Sequence, residues 1–143
     1  RSMGRASRGV RGIHLRGGDE VVGMVIVEEK SALFTVCENG YGKRTGIENY
    51  KAQSRGGLGL KNIKTSDRNG KVVALKAVQS EDDLMLITAN GMIIRTGLDE
   101  IRSIGRNTQG VRLINLKEGD KLVAAEKIAA EDLEDEGEGE GEA

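Results

Sequence analysis

Short apolar runs of four to seven residues, rich in Val and Ile, alternate with polar turns along most of the chain. In the first stretch the runs are Val10–Leu15, Val21–Val27, Leu33–Cys37 and Tyr41–Thr45, and their β-branched content predicts four strands. Asn39-Gly40 and Asn90-Gly91 predict type I′ hairpins, in which both central residues need φ > 0. Gly18-Asp19, Asn69-Gly70 and Gly119-Asp120 predict the equivalent turn between the first two strands of each unit. Nowhere does an apolar period of 3.6 residues persist. Lys127–Leu133 alone has room for a helical turn. The expected class is all-β.

The pattern repeats. Asn39-Gly40-x-x-x-Arg44-Thr45-Gly46 returns 51 residues later as Asn90-Gly91-x-x-x-Arg95-Thr96-Gly97, and Leu33, Val36 and Ile47 match Leu84, Ile87 and Leu98. A second segment occurs three times, as GRASRGVRGIHL from Gly4, SRGGLGLKNIKT from Ser54 and GRNTQGVRLINL from Gly105. One period shared by two segments divides the chain into repeats at 1–50 and 51–101, a truncated repeat at 102–130 and a tail at 131–143. Four short strands per repeat is the blade pattern of a propeller. The first repeat opens inside its loop and the third stops before its hairpin. A ring needs about four blades or more, so further blades are expected from elsewhere.

Charge sharpens the picture. The tail, EDLEDEGEGEGEA, holds eight acids and no base; without it 22 basic residues face 15 acidic ones, a body of +7. The tail has almost nothing to bury, and disorder is expected there. A basic body with an acidic tail is a polyanion-binding signature. Aromatic residues make up only 2% of the chain, which argues against a base-stacking platform for single strands. One Cys and one His cannot build a His/Cys zinc site. The expectation is a cytoplasmic protein with no secretory leader and no membrane span.

The repeated loops place cations in register. Arg5, Arg55 and Arg106 each stand four residues before a glycine (Gly9, Gly59, Gly110), and Arg11, Lys61 and Arg112 follow two residues after it. Arg44 and Arg95 close the hairpins; Arg8, Arg16, Lys43 and Lys64 add to the same segments. Equivalent residues fall on equivalent surfaces of successive blades, so these cations form a periodic band. Glycine lets main-chain N–H groups approach an anion and Arg binds it through two donors, a combination suited to a phosphate backbone. The alternative is that Arg5, Arg55 and Arg106 brace neighbouring loops through carbonyl contacts.

Gln53-Ser54-Arg55-Gly56-Gly57-Leu58-Gly59 resembles the Gln-Arg-Arg-Gly-Gly-Lys-Gly box of the DNA gyrase A family, with Ser54 and Leu58 as departures. The flanking GVRGIHL, GDEVV and NGYGKRTG segments look like blades of that family's C-terminal domain. Residues 3–9 and 104–110 look like decayed copies of the box. The resemblance implies a β-pinwheel that wraps double-stranded DNA around a basic rim and supports ATP-dependent negative supercoiling. It implies two partners, the rest of the gyrase A protein and the ATPase protein of an A2B2 assembly, inside a bacterial cell. The related topoisomerase IV protein is the near alternative. A protein-interaction propeller is the alternative from another class, but such surfaces favour Trp and Tyr, and this chain has no Trp and two Tyr. The open strand edges of a partial ring raise the prospect of self-association.

No catalytic residue is expected. Tyr41 and Tyr50 lie outside the Arg-Tyr context and acidic cluster that DNA cleavage needs, and no Walker loop is present. ATP and Mg²⁺ would act elsewhere in the holoenzyme. His14 reads as a surface strand residue and Cys37 as a small apolar side chain. Asp82-Asp83 read as turn formers.

Overall fold

A computed structural model describes residues 2–129; the acidic tail lies outside the described residues. Seven strands follow in order: β1 Ala32–Cys37, β2 Tyr41–Gly46, β3 Val72–Val78, β4 Asp83–Thr88, β5 Ile93–Gly97, β6 Val111–Arg112 and β7 Leu122–Ile128. Single 3₁₀ turns, Ile47–Asn49 and Leu98–Glu100, follow the two hairpins. Lys127 and Ile128 belong to β7 and not to a helical turn; the rest of that predicted turn, from residue 130, lies outside the described residues.

The strands form two antiparallel sheets, ordered β3-β1-β2-β6 and β5-β4-β7. Neither sheet is built from one sequence repeat. The β1–β2 hairpin takes β3 from the next repeat, and β2 then takes β6 from the repeat after that. Likewise the β4–β5 hairpin takes β7 from the third repeat. β1, β2 and β3 span 32–78 and β4, β5 and β7 span 83–128, so each sheet joins strands from more than one sequence repeat. The bulge between Val36 and Cys37 recurs between Ile87 and Thr88, so the second sheet repeats the first in detail.

The same exchange corrects two predicted strands. Val10–Leu15 makes only an isolated bridge, Ile13 to Gly57, and Val21–Val27 makes none. One period after Val21–Val27, β3 pairs with the β1–β2 hairpin; residues 60–65, one period after Val10–Leu15, form no strand either, and only the third copy, β6, pairs with β2. Val21, Met24 and Ile26 are consequently exposed at 67%, 90% and 82%.

The hairpin turns also differ from expectation. Gly40 and Gly91 have φ of 89° and 85°, but Asn39 and Asn90 are not at positive φ. Gly40 N–H bonds to Cys37 O, and Gly91 N–H to Thr88 O, across three-residue loops. This is a type I turn followed by a left-handed glycine, not type I′. Asp82 does form a turn, accepting from Gln79 N–H at 2.8 Å, whereas Asp83 pairs with Arg95.

One core joins the sheets. Phe34, Val36, Ala74 and Val78 of the first cluster with Leu84, Leu86, Leu122 and Ala125 of the second, and Leu98 and Ile101 close the cluster. Alternation along each strand produces this face: Phe34 and Val36 point one way, Thr35 and Lys43 the other. Cys37 is buried as expected, and burial pushes its thiol up to about 11. His14 is exposed.

Candidate nucleic-acid interface

The glycine- and arginine-rich loops lie against one another in a regular way. His14 N–H donates to Gly57 O at 2.7 Å, and Lys64 N–H donates to Thr108 O at 2.8 Å. These are the same bond one repeat apart, so each loop sits beside the loop before it. Gly56 N–H adds a bond to Gly12 O at 2.9 Å. Within the box-like segment Gln53–Gly59, Gly56 and Gly59 adopt φ of 78° and 77°. Only Gly56 is half-buried; Gln53, Ser54, Arg55, Gly57, Leu58 and Gly59 face solvent.

The stacked loops carry the cations outward. Arg5, Arg8, Arg11 and Arg16 of the first loop are exposed, as are Arg55, Lys61 and Lys64 of the second and Arg112 of the third. Not every candidate belongs to this band. Lys43 is fully buried, and its Nζ donates to Gly105 O and Arg106 O, both at 2.8 Å. Burial, helped by the nearby Arg106 charge, pushes its pKa down to about 8. A side chain pinned beneath a loop has no surface to offer a phosphate, so Lys43 is corrected from a surface contact to a strut.

Arg106 is half-buried; its Nη1 donates to Lys61 O at 2.9 Å and its guanidinium lies over the Tyr50 ring. The bracing role considered for this position is the one Arg106 performs. Arg95 is engaged by Asp83 at 2.9 Å. Arg44 is half-buried, with a buried Nε that has no hydrogen-bond partner among the described residues.

Two groups escaped the sequence reading. Asn69 is fully buried: its Oδ1 accepts from Ser66 N–H at 2.7 Å, and its Nδ2 donates to Lys64 O at 2.7 Å and to Gln109 O at 3.1 Å. It ties the second loop to the third; Asn69-Gly70 in the sequence marks the turn but not this lock. Arg68 meets Arg112 at the Tyr41 hydroxyl, and no local pattern signals that meeting. Among the described residues no group of His, Cys, Asp and Glu could hold a metal ion, and no helix is long and apolar enough to cross a membrane.

Stacked antiparallel sheets that exchange strands between successive repeats, edged by periodic loops, define a β-propeller-type module. Its residues 1–28, 32–79 and 82–129 match the family described as "DNA gyrase C-terminal domain, beta-propeller", and the chain belongs to that family. The last two matched segments hold β1 to β3 and β4 to β7 respectively. The DNA gyrase A protein of Chlamydia pneumoniae is 42% identical over 137 residues, covering 95% of this chain and 16% of that protein. The Salmonella typhimurium and Staphylococcus aureus gyrase A proteins are 45% and 46% identical, each over 95% of this chain and 15% of the relative. The chain thus spans about a sixth of the relatives it matches. Among solved structures, a DNA gyrase A C-terminal domain superposes with TM-score 0.81 at 31% identity, covering 90% of this chain and 44% of that one. A DNA topoisomerase IV C-terminal domain gives 0.79 at 18% identity, over 94% and 43%, and shares the fold.

Proposed function

We propose that this chain is a non-catalytic, duplex-DNA-binding part of a type IIA topoisomerase's C-terminal domain, gripping the phosphate backbone along the loop band. The observation that carries the reading is the recurring loop-to-loop bond, His14 to Gly57 and Lys64 to Thr108, which sets successive cation-bearing loops side by side. A duplex laid across them meets Arg5, Arg11, Arg55, Lys61, Lys64 and Arg112 in turn. Backbone contacts of this kind are sequence-tolerant, and a duplex bent around several of them is wrapped. Smoothly bending ~20–30 bp by 40–90° costs of order 1–6 kcal/mol, so several loops must contribute. In the parent enzyme, a gyrase A2B2 assembly, the wrap would present a DNA segment for strand passage during ATP-dependent negative supercoiling. Cleavage chemistry, ATP and Mg²⁺ belong to other parts of that assembly.

The test is duplex binding followed against salt. If about six to ten phosphates are neutralised, affinity falls ~10³–10⁵-fold between 50 and 200 mM salt. Arg55→Glu with Lys61→Glu weakens duplexes of different sequence equally. A flat salt response, or weakening confined to one sequence, overturns the reading.

A further inference from the structure

Tyr41, at the start of β2, is only 4% exposed, yet two arginines converge on its hydroxyl. Arg68 Nε donates to that oxygen at 3.1 Å and Arg112 Nη2 at 2.8 Å. Both guanidiniums also lie over the ring, 5.1 and 5.3 Å from its centroid. Asn115 steadies the second one, accepting from Arg112 Nη1 at 3.2 Å. Both arginines are otherwise exposed, and the cleft they edge is closed by Asn39, Asn115, Ile114 and Leu116, with no carboxylate in its lining.

Two like charges drawn to one neutral oxygen repel each other, and a phenol cannot neutralise them. The arrangement becomes favourable when an anion bridges the pair. Arg68 uses only its Nε among the described residues, so its terminal fork remains open toward the cleft. The three parts come from three repeats: Tyr41 from the first hairpin, Arg68 from the turn before β3, and Arg112 from β6. One period on, Met92 stands where Tyr41 does, so the second hairpin has no copy of the pivot.

We propose that Arg68 and Arg112, held by Tyr41, form a two-pronged site for a phosphodiester of the duplex backbone. The proposal rests on the DNA-binding reading above and adds to it a place where the backbone is gripped rather than merely attracted. Tyr41 is a positioning residue, because it touches the arginines and not the phosphate.

Anisotropy of a fluorescein-labelled mixed-sequence duplex, titrated with the full chain, tests it. Arg68→Gln is expected to weaken binding about tenfold and to reduce the slope of log K against log salt by ~0.9, the loss of one phosphate contact. Tyr41→Phe keeps both charges and the ring but frees the prongs; it weakens binding about threefold with the slope retained. Lys127→Gln, outside the cleft, stays within about twofold. Equal thermal unfolding of all variants separates these effects from misfolding. In parallel, inorganic phosphate at low salt is expected to shift the Arg68 and Arg112 Nε–H resonances before those of other arginines. If wild type binds duplex but Arg68→Gln and Tyr41→Phe match Lys127→Gln, the site is wrong and the DNA reading stands. If phosphate shifts both resonances but no duplex binds, the anion site stands, and both its proposed ligand and the DNA reading fall. If neither happens, both fall.

Discussion

Lys43 shows how far one side chain can be from its apparent role. In sequence it is a cation beside Arg44 in a hairpin strand, and in the fold its ammonium holds up the loop that carries Arg106. Met in its place fills a similar volume but takes the Lys43 donor from the Arg106 carbonyl and leaves Gly105 O with only the Thr108 hydroxyl, at 3.3 Å. Lys43→Met is expected to cost ~1–3 kcal/mol near neutral pH, measured by urea unfolding. The pH dependence carries a signature. Its folded pKa of about 8 lies below the ordinary 10.5, so the folded chain binds fewer protons than the unfolded one between those values. The contribution of Lys43 to stability therefore rises with pH across that window, and the gap between wild type and Lys43→Met widens with it. A gap that narrows from about pH 8 to about pH 10 would show that the buried ammonium is not penalised.

At the scale of the element, β6 is the most exposed to sequence change. It is two residues long and pairs through Tyr41 with Arg112 and Gly42 with Val111. Gly110, at φ 79°, lets it approach: a Cβ there would stand 2.6 Å from Gly42 O. Gly119 shares the same φ but would place its Cβ in open space. Gly110→Ala is thus expected to cost more than Gly119→Ala, the latter limited to left-handed strain of order 1 kcal/mol. Amide exchange at Leu113, whose N–H donates to Gly40 O at 2.8 Å, reports whether β6 has detached. Fast exchange is expected in Gly110→Ala alone. Equal protection in both variants would mean that Gly42 and β6 move apart without loss of pairing.

For the whole molecule, strand exchange leaves distinct openings. Among the described residues, Val21–Val27 corresponds to β3 and β7 but pairs with no hairpin, and β5 has no partner in the position that β6 takes beside β2. An unpaired edge with exposed Met24 and Ile26 favours association between copies. The isolated chain is expected to self-associate with rising concentration in light scattering. Met24→Glu with Ile26→Lys should suppress that association without changing the two sheets. A chain that stays monomeric at millimolar concentration would show these edges to be covered.

The sequence alone determined the strands of both hairpins, the period of about 51 residues and the all-β class. Those features are local. Alternation, β-branching and turn residues act over a handful of positions, and a repeat preserves them in register. Pairing was beyond that reach, because each repeat offers strands of the same apolar pattern. Leu33–Cys37 can bond to a strand of its own repeat or of the next, and the sequence ranks neither. The tertiary structure chose β3, since that pairing brings Ala74 and Val78 beside Phe34 and Val36 in the shared core. It likewise decided which cations face solvent. Lys43 meets its acceptors 62 and 63 residues away and Tyr41 meets Arg112 71 residues away, contacts that exist only once the repeats have packed together.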